Sequence, residues 1–338
     1  MADIANAANV SVATVSHVIN GTRPVKESTR LRVEAALDAA GYRRDRLARA
    51  MRRSTTETVG VVVSDPTQPV FGQMIQGVAK EARAAGYAMM LASSADDGQQ
   101  ELEAIKTFKE HRVDGIILAE VSHDLAGFDE MLRPDSIPLV LLDRLASRRL
   151  DQVGAETVGP MKRIVDHLIG NGYDDIAIVA GDLSVPTLQE RFEGYRQALD
   201  AADIPLRSDR VVDDVRTERE VRAAMRPILQ GNERPRALVT SSTNITAGVL
   251  GALHDLDMRT PRDVALVSFD ELPYAEHFAP RITSVVQPAV QMGEHAMRLL
   301  LRRLRNPDAQ ARTIRLKPRF VHRQSCGCPA GAPSPFGD

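Results

Sequence analysis

From Val59 onward the chain alternates short apolar runs with amphipathic stretches, and this alternation restricts its fold more than any other feature. VGVVVS, YAMMLAS, DGIILAE and IPLVLLD form a first set of runs; DIAIVAG, RALVTS and DVALVSF form a second. Runs this short and this apolar read as strands buried on both faces, the mark of a parallel sheet with helices on each side. Between the first two runs, residues 71–85 place Phe71, Ile75, Val78, Ala79 and Ala82 on one helical face, and Gly86 ends the pattern. Further helices are expected at about 161–170, 189–202, 219–229 and 245–256. The expectation is two α/β units of parallel sheet, with a ligand site outside the carboxyl ends of the strands, between the units.

The first part of the chain has a different texture. Ile4, Ala5 and Ala8 make one short apolar face, Val15, Val18 and Ile19 a second, and Val33, Ala36, Leu37 and Ala40 a third. Asn9 stands where the turn between the first two helices needs a left-handed residue. Ser11 is placed to cap the second helix, and Gly41 to end the third. Helix, three-residue turn, helix is the arrangement that lays its second helix in the major groove of DNA. Charge agrees with that reading. The net charge of −2 over 338 residues conceals ten basic residues against five acidic ones in residues 1–53, leaving an acidic remainder. A basic head on an acidic body is the footprint of a nucleic-acid module joined to a globular one.

Three runs make this specific. DIANAANVSVATVSHVING, RPVKESTRLRVEAALDAAGY and DRLARAMR together resemble the headpiece of the LacI-type (lactose-repressor) family of bacterial transcription regulators, and the resemblance continues to about Arg323. It implies an all-α helix-turn-helix headpiece followed by an α/β effector domain like the type I periplasmic binding proteins, built of two parallel-sheet subdomains. By the resemblance, Val12, Ala13 and His17 face the base edges, while Ser11, Thr14, Ser16, Asn20, Val25 and Thr29 approach the phosphates. Small hydroxyls and helix-terminal N–H groups suit the phosphate backbone, and Val12 and Ala13 suit thymine methyls. His17 departs from the family pattern, which has Arg there, so an altered base preference is expected at that position. The hinge segment contributes Arg46, Ala48, Arg49 and Met51, with Met51 as the apolar wedge between central base pairs where Leu is usual.

For the body, the resemblance implies a cleft lined by Val70, Phe71, Asp143, Arg144, Thr187, Arg191, Ser242 and Asp270. Arg191 and Asp270 lead this set, because a guanidinium and a carboxylate facing one cleft hold hydroxyls or a polar ring through directed bonds. The alternative for either is a structural ion pair. The expected divisions are a headpiece at 1–44, hinge and linker at 45–58, and an effector and dimerisation domain at 59–325. That domain has an N-subdomain at 59–156 and 287–315 and a C-subdomain at 157–286 and 316–325; a flexible tail follows at 326–338. In this fold the chain crosses between subdomains three times.

The expected partners are a pseudo-palindromic, double-stranded operator, a small polar effector such as a sugar or nucleoside, and a second copy of the chain. With no Trp and 4% aromatic residues, a platform for a sugar ring must come from Phe71 or another of the few aromatics. No cofactor is expected: there is no G-x-G-x-x-G turn and no G-x-x-x-x-G-K-[ST] loop. Catalysis is not expected either, since the eight histidines are scattered without a triad or metal spacing. Cys326 and Cys328 read as reduced thiols in a loose tail rather than as a metal site. No apolar run approaches the roughly 20 residues of a membrane span, so a cytoplasmic protein is expected. The rival reading is a cytosolic small-molecule binding protein whose DNA head is vestigial.

Overall fold

The computed structural model describes residues 1–20, 23–40, 55–119, 137–145 and 149–328, and the chain divides into two units, Met1–Thr56 and Glu57–Asp338. In the first unit, α1 (Ala2–Ala7), α2 (Val12–Asn20) and α3 (Glu27–Ala39) close around Ile4, Ala5, Ala8, Val15 and Val33. Asn9 takes φ +49° in the α1–α2 turn, as its tolerance of that conformation anticipated. The Ser11 hydroxyl accepts a bond from the Thr14 N–H at 3.1 Å, which caps α2 and is worth about 1 kcal/mol in such positions. Ala40, expected on the third apolar face, is exposed because α3 ends one residue before it. Gly41 lies outside the described residues.

The second unit holds two six-stranded sheets. The first runs in the order β11-β5-β4-β3-β1-β2, formed by β1 (Thr58–Val63), β2 (Ala88–Ser93), β3 (Gly115–Leu118), β4 (Leu139–Leu142), β5 (Asp151–Ala155) and β11 (Thr313–Leu316), all parallel. The second runs β12-β10-β9-β8-β6-β7, formed by β6 (Ile176–Gly181), β7 (Val211–Asp213), β8 (Ala237–Thr240), β9 (Ala265–Phe269), β10 (Thr283–Val286) and β12 (Arg319–Val321). Its last strand, β12, pairs antiparallel to β10.

Helices cover both faces of each sheet, which is why most strands read as continuous apolar runs; the edge strand β2, expected to be buried, is instead half-buried to exposed. On the first sheet, α4 (Pro69–Ala84) and α10 (Ala289–Arg305) share a core with β1, β3, β4 and β5, and α5 (Gly98–Glu110) covers the other face. On the second, α6 (Val158–Gly170) and α7 (Pro186–Ala201) cover one face, and α8 (Glu218–Gln230) and α9 (Thr243–Asp255) the other. Helices α4 and α10 meet at two reciprocal glycines. A Cβ on Gly77 would stand 2.0 Å from the Val290 carbonyl, and one on Gly293 2.0 Å from the Met74 carbonyl, so the backbones touch.

The chain passes between the sheets three times: after β5, between β10 and α10, and between β11 and β12. These crossings are what place strand ends of both sheets round one cleft. Strand β5 was not legible because DQVGA carries Asp151 and Gln152 inward. Asp151 is buried against Arg303, 2.8 Å away, Arg302 at 3.5 Å, and the Arg312 N–H, also at 2.8 Å. The C-terminal segment corrects the expectation of a loose tail for residues 326–328; residues 329–338 lie outside the described residues. Leu266 donates its N–H to the Ser325 carbonyl at 2.9 Å, and Cys326 is completely buried in the core of the second sheet. Among the described residues, no helix is long and apolar enough to cross a membrane.

Candidate functional site

In the first unit, α2 is amphipathic by construction. Val15 turns into the three-helix core, which leaves Val12 and Ala13 on the outside, Val12 at 47% exposure. His17 and Ser16 are half-buried on the same helix, and Ser11 is exposed at its start. Thr14 bonds the Ser11 hydroxyl through its own at 2.9 Å, so the two hydroxyls form one polar edge at the α2 N-terminus. Val25 and Thr29 are half-buried at the start of α3. The side chain of Asn20 and the whole of 41–54, with Arg46, Ala48, Arg49 and Met51, lie outside the described residues. What the described part offers is a short helix with small residues outward and hydroxyls at its positive end, a surface that fits a phosphate-flanked groove.

In the second unit, a cleft of about 700 Å³, including its open mouth, is lined by all eight residues proposed from the sequence. Three helix N-termini converge there. Val70 and Phe71 sit in the first turn of α4, Thr187 in the first turn of α7, and Ser242 immediately before α9. Asp143 follows β4 and Asp270 follows β9, each in the left-handed region at φ +72° and +70°. Each donates its N–H to the next strand of its sheet, Asp143 to Val153 at 2.8 Å and Asp270 to Val285 at 2.9 Å. That turn swings both carboxyl groups off the strand ends into the cleft.

The two carboxyl groups are treated differently. Asp270 is held by the Arg191 guanidinium at 3.3 Å and by the Gln287 amide at 2.6 Å. Arg191 also stacks over Phe269 at 4.0 Å and donates to the Ser241 carbonyl, so it is both ion-paired and fixed in plane. Burial pushes the Asp143 carboxyl above its ordinary range, Arg191 and Arg144 pull it back, and Asp270 and Glu190 push it further up. Arg144 pairs with Asp96 at 2.6 Å. Beside the cleft, Arg315 of β11 reaches Glu190 of α7 at 2.9 Å, an ion pair that spans the two sheets.

Several lining residues were missed by sequence reasoning, among them Ser64, Asp96, Asp182, Arg216, Asn244 and Gln287. Ser64 and Asp182 directly follow strands β1 and β6, so the strand-end rule was signal enough for them. Gln287 follows β10, whose short TSVV run does not stand out. Within this cleft the Ser64 hydroxyl, the Arg191 Nε–H and the Gln287 carbonyl oxygen are buried without a protein partner. Buried polar groups in native proteins are bonded as a rule, so these three define where a polar ligand would bond. Elsewhere Asp175 receives two bonds from Arg210, at 2.5 and 2.9 Å.

Residues 1–45 match bacterial regulatory proteins of the lacI family, and residues 165–326 match the periplasmic binding protein-like domain. The HTH-type transcriptional repressor PurR of Photobacterium profundum is 30% identical over 329 residues, covering 96% of this chain and 97% of that protein. The ribose operon repressor of Escherichia coli (strain K12) is 30% identical over 328 residues, covering 96% and 99%. Among solved structures, the transcriptional regulator CelR in complex with cellobiose superposes with a TM-score of 0.72 at 29% identity, covering 96% of this chain and 98% of that one.

Proposed function

Because the chain belongs to the lacI family of bacterial regulatory proteins, we propose that it is a homodimeric repressor whose grip on a pseudo-palindromic operator is set by a hydroxyl-bearing metabolite in the cleft. Two heads read the half-sites with Val12, Ala13 and His17, and the hinge residues around Met51 wedge the centre. The observation that carries the ligand class is the buried trio of unpartnered polar atoms on Ser64, Arg191 and Gln287. A ligand with adjacent hydroxyls, such as a sugar or the sugar of a nucleoside, can accept from Arg191 and Ser64 and donate to Gln287 and Asp270. The cellobiose complex of CelR and the ribose operon repressor are in keeping with that class.

The cleft lies between the two sheets, so a ligand bridging Asp143 and Arg144 on one side to Arg191 and Asp270 on the other favours one relative arrangement of them. The Glu190–Arg315 pair is the contact such a rearrangement would strain or relieve. Protein of this kind acts at DNA in the cytoplasm, without catalysis. The test is binding to genomic fragments at rising salt. A steep salt slope with a residual sequence-specific fraction is expected. Salt-insensitive or negligible binding would leave the small-molecule binding protein with a vestigial head as the better account.

A further inference from the structure

We propose that His167, His322, Cys326 and Cys328 form a structural zinc site of the Cys2His2 type, which fastens the C-terminal segment to α6. Their ligand atoms all lie within 4.8 Å of one another. The Cys326 and Cys328 sulfurs are 3.2 Å apart, and the Cys328 sulfur is 3.3 Å from Nε2 of His167. The His167 and His322 rings meet edge to face with centroids 5.2 Å apart. In a tetrahedral zinc site, metal–ligand bonds of about 2.0–2.3 Å set the ligand atoms about 3.3–3.8 Å apart. Small side-chain rotations bring the four groups to that spacing.

Three further features suit a metal better than a chance cluster. First, Nε2 of His322 is buried without a hydrogen-bond partner, a costly state for an imidazole nitrogen that a ligand bond would relieve. Second, the Cys-Gly-Cys turn depends on its glycine. Gly327 takes φ +77°, and a Cβ there would stand 2.3 Å from the Tyr173 hydroxyl; this turn brings both sulfurs to the same side. Third, the Asn171 amide points a donor at the Cys328 sulfur at 2.9 Å, the kind of outer bond that holds a thiolate in place on a metal. The donor set, two soft thiolates and two imidazoles, is that of structural zinc.

His167 comes from the last turn of α6, while the other three follow or flank β12, the strand that completes the second sheet. A metal here therefore closes a loop of more than 150 residues and ties down the third crossing of the chain. None of the four lines the cleft, so the site stands independently of the ligand reading.

The experiment uses full-length, tag-free protein, purified under reducing conditions and then given Zn2+ or Co2+ alone. About one zinc per chain is expected, retained through gel filtration, with a thermal midpoint that zinc raises and a strong chelator lowers. Co2+ should give the visible bands of a tetrahedral thiolate complex. Cys328→Ser should abolish those bands, Asn171→Ala should weaken zinc affinity about tenfold, and His254→Ala should leave both unchanged. Absence of retained zinc together with absence of a tetrahedral Co2+ spectrum in the reduced wild-type protein overturns the proposal. A stoichiometry unaltered by Cys328→Ser overturns it as well, and so does a Cys326–Cys328 disulfide that forms in place of metal binding under those conditions.

Discussion

The two sheets of the second unit are built on one plan and finished differently. In each, a strand ends in an aspartate at positive φ whose N–H bonds the neighbouring strand, Asp143 after β4 and Asp270 after β9. Asp270 has a guanidinium and an amide fixed on it, whereas Asp143 sits in burial that pushes its carboxyl upward. One side of the cleft is thus a preorganised ion pair and the other an acid whose charged form burial disfavours. A repeated backbone device can therefore supply two chemically distinct faces to one ligand. The edge strands differ too: β11 joins the first sheet in parallel, while β12 joins the second antiparallel and carries the chain on to Cys326.

Arg191→Ala breaks the comparison most severely. It leaves Asp270 buried with only Gln287, and losing one partner of a buried, bonded pair typically costs about 2–5 kcal/mol. Calorimetric titration with the metabolite that binds the cleft should show affinity falling at least about thirtyfold. A loss no greater than that from Arg144→Ala would mean that the two faces are equivalent after all.

Gly293→Ala comes next in size and asks about packing instead of charge. A methyl group 2.0 Å from the Met74 carbonyl must push α10 away from α4, and overpacking of this kind costs about 1–3 kcal/mol. Thermal unfolding should shift down accordingly. An unchanged midpoint would show that the helices are free to separate.

The smallest effect concerns the acid that is not held. The folded pKa of Asp143 is raised above its unfolded value, so the folded state binds more protons and stability falls as pH rises from the unfolded value through the folded one. Asp143→Asn removes that dependence. Its stability relative to wild type should therefore grow from about pH 4 upward and level off once Asp143 is ionised in both states. The facing charges of Arg191, Arg144, Asp270 and Glu190 stay in place in this comparison. A pH-independent difference in melting curves would contradict the assigned direction.

How far the sequence could be read follows from where each signal resides. Apolar runs such as IAIVAG and LVLL announce themselves because burial on both faces leaves no polar position in them. The Asn9 turn and the Ser11 cap are local chemistry and are equally plain. Strand β5 escaped because its buried Asp151 is balanced by arginines of α10 about 150 residues away. Gln287 escaped as a lining residue because nothing local distinguishes a cleft amide from a surface one. His167 shows the same limit more sharply. Its neighbours Cys326 and Cys328 were noticed, but only the fold brings a helix end to them across more than 150 residues.

The central claim is that the cleft governs the head. Its most direct test is operator affinity of the full-length protein with and without the metabolite that binds the cleft, measured in wild type and Arg191→Ala. A coupling of about 1–3 kcal/mol predicts a shift of roughly 5- to 150-fold in wild type. In Arg191→Ala that shift should shrink markedly at ligand concentrations that just saturate wild type. A ligand that occupies the cleft of wild type yet leaves operator affinity untouched would contradict the account.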